Sequence, residues 1–414
     1  MITTINNKHK KLNVPNLRFP EFEEEWEESS IGEMFDLYSG NTPSRLNKEH
    51  FKGTVNWISS GELKEHYLSS SKEQISEEAA KNLKLLPVGT FVIAIYGLEA
   101  EGVRGTGSIT QEPSTISQAC MSFIPKGVIE NEFLYSWYKK HGNVIGIRYA
   151  QGTKQQNLSY DILEKFRIAY PNTKEQEKLN KFISLLDKRI ATQNKIIDKL
   201  QSLIKGLEDN LLDNSLWEKT YLRSFMQFFS TNSLSWEQLS YEEGEIRNLH
   251  YGLIHGFQTR GINSASLPMI KNEAIPKQYT LCQVGDVAFA DASEDTGEIA
   301  KSVEFVETIE GDTICGLHTI HGRDIKNRTV VGFKGFAFNS RYFHNQIKRL
   351  AQGTKVFSIT ANNLSSCYVY LPDLETQKAI VKLLKAYEAQ LIVSRKTLKQ
   401  YENQKQYLLR QMFI

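Results

Sequence analysis

Three groups of residues have types and spacings that could carry chemistry. Glu62-Leu-Lys64 sets a carboxylate two positions before an ammonium, a spacing many nucleases use to hold Mg²⁺, and Asp36 upstream offers a second carboxylate. So short a pattern arises readily by chance. Cys315, His318 and His321 recur at every third position and could ligate zinc, yet no fourth ligand is evident and the segment has a strand's composition. The third group occurs twice. Arg148-Tyr-Ala-Gln-Gly-Thr-Lys154 returns 201 residues on as Arg349-Leu-Ala-Gln-Gly-Thr-Lys355. In each, glycine allows close backbone approach, a hydroxyl and backbone N–H can meet phosphate, and lysine supplies charge. The alternative for either turn is a structural hairpin.

Catalytic signatures are missing. There is no Asn-Pro-Pro-aromatic run of an amino-methyltransferase and no GxxxxGK[ST] phosphate loop. Gly102-Val-Arg-Gly105-Thr-Gly107 lacks dinucleotide-binding spacing and is expected to form a flexible turn, with Arg104 available to DNA. No catalytic residue, metal or cofactor is therefore expected on this chain.

The elements that position the repeated turns are repeated too. Pro171 returns as Pro372 and Gln176 as Gln377, each at the start of a heptad helix. The first seam holds Ile183, Leu186, Ile190, Gln193, Ile197 and Leu200; its copy holds Leu384, Tyr387, Leu391, Ser394, Leu398 and Tyr401. Steps of four and three mark a coiled-coil face that needs a partner helix. The same polar place recurs in both, as Gln193 and Ser394. The expected layout is a polar tail (1–15), a globular domain (16–172), a long helix (173–213), a second domain (214–373) and a second helix (374–414).

Composition bounds the class. A chain of 414 residues is too long for one compact domain, and 40% apolar content is enough for real cores. No apolar run is long enough to span a membrane, and the first fifteen residues lack the apolar centre of a secretory signal. Four scattered cysteines without CxxC spacing suit a reducing cytoplasm. The net charge of +2 points to no partner, but from Glu375 onward the chain carries eight Lys/Arg against three Glu. That basic face is either simply solvated or a contact for an acidic partner.

Each domain is expected to be α+β, with short strands and loops rich in Gly, Ser, Thr and aromatic residues. Val55-Asn-Trp-Ile58, Thr90–Tyr96 and Ala119–Ile124 are expected strands, and Glu132–His141 a short helix. In the second domain Val284–Ala290 corresponds to the strand after Val88-Gly89. Candidate DNA contacts in the first domain are Thr42, Ser44, Ser60, Gly61, Tyr96, Arg104, Thr153, Lys154 and Gln155. Those in the second are Arg260, Arg323, Thr354 and Lys355.

Connectivity constrains the arrangement. A helix of about 38 residues is roughly 57 Å long, and the few residues after Leu212 span under about 20 Å. The helices are therefore expected to pair antiparallel, with a domain at each end and a pseudo-two-fold axis near Gln193 and Ser394. Double-stranded DNA with two half-sites is the natural object for such a molecule.

At this point the chain resembles a known family, the specificity (S) subunit of type I restriction–modification systems. Leu17-Arg-Phe-Pro20 with Trp26 and Ile31-Gly32 carry the resemblance, as do Trp57-Ile-Ser-Ser-Gly61, Gln151-Gly-Thr153, Pro171 before Glu175-Gln176, and the 201-residue repeat. It implies two target-recognition domains, each reading half of a bipartite DNA sequence. It also implies partners, namely two methyltransferase (modification) subunits and the restriction (motor nuclease) subunits, with S-adenosylmethionine, ATP and Mg²⁺ bound there. The second domain shows no sequence counterpart of Trp57–Gly61. Two other readings compete: a free-standing Mg²⁺ nuclease, which needs a metal triad, and a coiled-coil adaptor, which leaves two diverged domains unexplained.

Overall fold

The computed structural model describes residues 13–100, 102–152, 154–257, 260–307 and 311–414. It divides into two units, Met1–Gln193 with Thr397–Ile414, and Asn194–Lys396. Both are mixed α and β, and the boundary falls inside both long helices, Thr173–Leu212 and Leu374–Met412.

The first unit is built on a five-stranded sheet ordered Phe35–Ser39, Cys120–Pro125, Phe91–Ala94, Gly107–Thr110, Tyr67–Leu68. Its central strand Phe-Val-Ile-Ala is buried on both faces, as a continuous apolar run in mid-sheet should be. Only the edge strand Tyr67–Leu68 is parallel to its neighbour, pairing Tyr67 with Ile109. A smaller sheet orders Glu73–Ile75, Val55–Ile58 and Ser114–Ile116. The helix expected over Glu132–His141 runs further, Asn131–Tyr149. Its glycines Gly142 and Gly146 let it extend, because they face Tyr138 and Arg104 at distances a Cβ would crowd.

The second unit repeats this sheet strand for strand: Met226–Phe229, Thr319–Asp324, Val287–Ala290, Ser302–Phe305, Gly261–Ile262. Again only the last pair is parallel, Gly261 opposite Glu304. The smaller sheet has gained a strand, in the order Leu239–Ser240, Met269–Ile270, Arg247–Leu249, Thr313–Cys315.

Each domain enters its helix through the same device. Gln176 is fully buried at the first turn. Its amide donates to the carbonyls of Pro171 (2.9 Å) and Val128 (3.2 Å) and accepts from the Glu130 N–H (3.0 Å). Gln377 makes the matching set with Pro372, Arg328 and Val330, all at 3.0 Å. A buried amide with its groups satisfied fixes where the helix leaves the domain.

Within each unit the end of one long helix packs against the end of the other, while Ile190, Tyr387, Leu391, Leu398 and Tyr401 of the seams are half-buried. In the first, Leu179, Ile183 and Leu186 share a core with Leu408, Leu409, Met412 and Phe413. In the second, Leu212 shares a core with Ile380, Val381 and Leu384, and Leu207 and Leu211 pack on it.

A charged clasp then joins the edge of each sheet to a long helix. His66, just before Tyr67–Leu68, bonds Asp187 through Nδ1 and Glu132 through Nε2, both at 2.9 Å. Its ring is sandwiched between Tyr67 and Tyr135, with centroids 4.0 and 3.9 Å away. Burial opposes the imidazolium charge, but the two carboxylates outweigh it and raise the pKa. Lys405 also pairs with Asp187. In the second unit Arg260 holds the place of His66: its carbonyl accepts from Glu304 as that of His66 accepts from Ile109. It lies 3.6 Å from Glu208 and beside Glu388, the residue 201 positions after Asp187. Burial pushes the Glu388 carboxyl up to about 7 even with Arg260 beside it.

Candidate DNA interface

The Gln-Gly-Thr-Lys turns are tight hairpins in both units. Gln151 and Asn157 exchange backbone hydrogen bonds of 2.8 and 2.9 Å, and Gln352 and Ser358 exchange bonds of 3.0 and 2.8 Å. The glycines are obligatory. Gly152 and Gly353 have φ of 119° and 131°, and a Cβ on either would lie 2.0 Å from a carbonyl oxygen across the turn. Lys154, Gln155, Thr354 and Lys355 are exposed at the tips. Thr153 lies outside the described residues. The structural and the binding reading of these turns are thus compatible: glycine closes the hairpin and lysine faces solvent.

Each hairpin sits beside the loop that follows the central strand. In the first unit Tyr96 bridges to Asn157, and the Leu98 N–H donates to the Gln156 carbonyl. Arg104 reaches the same place, donating to Gln156 Oε1 at 2.9 Å. Ser60 and Gly61 follow strand Val55–Ile58, tied in through the Ser117 N–H to the Ile58 carbonyl and the Ile95 N–H to the Ala119 carbonyl. Thr42 and Ser44 follow strand Phe35–Ser39, where Trp57 Nε1 donates to the Asn41 carbonyl at 3.0 Å. The first-domain candidates other than Thr153 therefore gather in loops at one end of the sheet. They present hydroxyls, amides, an exposed tyrosine and cations, a set suited to phosphates and base edges.

The second unit has the same end with other side chains. Ala292–Ser293 pairs with Phe357–Ser358 beside the hairpin, and the Ile359 N–H donates to the Asp291 carbonyl. The missing counterpart of Trp57–Gly61 is present as Asn248-Leu-His-Tyr-Gly252. Leu249 pairs with Cys315 as Ile58 pairs with Ile116, and a helical turn follows each. His250 caps its turn by accepting from the Gly252 N–H and lies tilted against Trp236, ring centroids 4.4 Å apart. Tyr251 meets His318 edge-on, and Asp291 holds His318 Nδ1 at 3.1 Å. Only the backbone positions and the closing glycine recur here, so letters alone do not reveal the match.

Arg260 and Arg323 depart from expectation. Arg323 lies at the opposite end of the sheet from Lys355, Arg260 precedes the edge strand Gly261–Ile262, and both are engaged within the chain. Arg260 forms the clasp with Glu208, while Arg323 makes a two-pronged pair with Asp286 at 2.7 and 2.8 Å and lies over Phe229. The carboxylates of the suspected nuclease triplet are engaged too. Glu62 accepts from the Ser59 N–H (2.9 Å) and the Lys72 N–H (2.6 Å), and Asp36 pairs with Lys126 at 3.2 Å. These are the contacts of a loop cap and a surface pair.

Comparison with known proteins agrees with this architecture. The family described as type I restriction modification DNA specificity domain matches residues 23–202 and 316–403. A type I restriction enzyme MjaIX specificity subunit of Methanocaldococcus jannaschii is 28% identical over 185 residues, 42% of each chain. The EcoR124I/EcoR124II specificity subunit of Escherichia coli is 31% identical over 189 residues. That match covers 44% of this chain, and these two matches span 42% and 45% of the relatives' own lengths. In fold, the S subunit from M. genitalium superposes with a TM-score of 0.58 at 14% identity, covering 97% of this chain and 99% of that one.

Proposed function

The chain belongs to the type I restriction–modification DNA specificity domain family, and we propose that it is the non-catalytic DNA-recognition subunit of such a system. Each domain reads one half of a bipartite duplex target with the loop end that carries its Gln-Gly-Thr-Lys hairpin. The observation that carries this is the twinned loop end. Both sheets present the same hairpin, and different side chains surround it, Tyr96 and Arg104 in one and Tyr251 and His318 in the other. A shared phosphate-facing element beside diverged loops is what two heads with different sequence preferences require.

The long helices set the separation between the heads in this reading, paired antiparallel as a coiled coil. It is supported by the packing in each unit, where the beginning of one helix meets the end of the other. Two modification subunits and the restriction subunits dock on this frame, and S-adenosylmethionine, ATP and Mg²⁺ act on those partners. The chain alone is expected to transfer no methyl group and cut no DNA, and to direct methylation to one bipartite sequence once modification subunits are added. Methyl transfer or Mg²⁺-dependent cleavage by the highly purified chain alone would overturn this reading.

A further inference from the structure

The second unit brings together two cysteines that are far apart in sequence. Cys282 precedes the central strand and Cys315 ends a strand of the smaller sheet, and their sulfurs lie 3.6 Å apart. His321, on the neighbouring strand of the large sheet, completes the group: the two sulfurs and a ring nitrogen lie within 4.8 Å of one another, and all three residues are buried. Zn–S bonds of about 2.3 Å at tetrahedral angles place two thiolate sulfurs about 3.8 Å apart, so the observed pair needs almost no movement to share an ion. Asp286 accepts from His321 Nε2 at 2.7 Å and is itself held by Arg323. That leaves Nδ1 for a metal, oriented by a carboxylate as metal-ligating histidines commonly are.

The twin domain shows what an ordinary core looks like at these places. The Cys282 N–H donates to the Thr313 carbonyl as that of Leu86 does to Ser114, so Cys282 stands where the first unit has Leu86. Cys315 stands where it has Ile116, and His321, opposite Ala288, where it has Ser122, opposite Val92. Asp286 stands at the place of Thr90, which bonds the same neighbouring strand. In the first unit Leu86 and Ile116 belong to one apolar cluster. The second unit thus differs at every one of these places together, toward two thiols, an imidazole and the carboxylate that aims it. Packing alone asks for no such set.

We propose that Cys282, Cys315 and His321 form a binding site for a thiophilic divalent cation, zinc, which ties the small sheet of the second domain to its large one. Each thiol gives up its proton to solvent as its sulfur takes the metal, and the imidazole ligates as the neutral ring. A cavity of about 490 Å³ lined by Cys315, His321, Thr231 and Asn232 supplies the entry path and room for a water as fourth ligand. The cysteine spacing is invisible in sequence because Cys282 lies on a separate element. Of the sequence's Cys315, His318 and His321, His318 instead faces the loop end with Asp291.

The test uses the full, tag-free chain purified under reducing conditions. Elemental analysis is expected to find one zinc per chain, and cobalt in its place should give the thiolate charge-transfer and visible bands of a tetrahedral site. A triple variant, Cys282→Leu, Cys315→Ile and His321→Ser, restores the residues of the twin domain. It should melt cooperatively with no zinc, while Cys120→Ser and Cys367→Ser keep the full equivalent. A reduced wild-type chain that takes up no zinc or cobalt would overturn the proposal. So would a triple variant that retains its zinc, or peptide mapping that finds Cys282 and Cys315 joined as a disulfide without metal.

Discussion

Two side chains tie the edge of a sheet to a long helix, one within each unit: His66 and Arg260, the same place in two copies. The pKa of His66 is raised by Asp187 and Glu132. The stabilisation it brings is therefore complete below the ordinary histidine value of about 6.5 and is lost as pH rises through its own higher value. Urea titrations of the chain across that window should show stability falling with pH, and His66→Gln should flatten the slope and cost about 1–3 kcal/mol at pH 6. A wild-type chain whose stability is level there would show that the clasp adds nothing. The hairpin lysines act outward instead. Lys154→Ala or Lys355→Ala should weaken binding to every DNA sequence alike and lower the salt slope by about one unit, measured by titrating complex at several salt concentrations. A changed base preference with the slope intact would make them base readers. At this scale the sequence was legible where backbone geometry demands one residue type, as at Gly152 and Gly353. It was silent where side chains meet across elements. The sequence offers Arg260 and Arg323 to DNA because a lone arginine carries no sign of the carboxylates that fold against it.

Among the elements, the long helices were the most legible, because an apolar seven-residue pattern sustained over about ten turns makes sense only for a helix that buries one face along its whole length. Gln176 and Gln377 are visible as repeats, but their reason is three-dimensional: each amide joins a proline carbonyl to the backbone of one loop, 128–130 in the first domain and 328–330 in the second. The strand set was read coarsely, and the counterpart of Trp57–Gly61 escaped because Asn248–Gly252 keeps the turn and its glycine while changing the side chains that would mark it. If the helices set the distance between half-sites, length added to both should appear in the DNA. Four residues inserted after Gln193 and again after Ser394 add about 6 Å while nearly keeping the seam's phase, which corresponds to one or two base pairs at about 3.4 Å each. Methylating a library with randomised spacers and sequencing the modified sites reads the change. An active variant with the parental spacer would show that the helices do not measure.

For the whole molecule, the proposed function has two copies of a fold acting as independent readers. The copies keep the large sheet's order and strand sense, helix entry and hairpin, and they differ in the smaller sheet, at the loop end and in the buried group around Cys282. The most direct measurement replaces residues 217–370 with the corresponding segment of a relative of different specificity, within the complex with its modification subunits. Methylated sites are then mapped by sequencing. One half of the recognised sequence is predicted to change to the donor's while the other half and the spacer stay as they were. A swap that alters both halves, or leaves both unchanged in an active complex, would contradict independent reading.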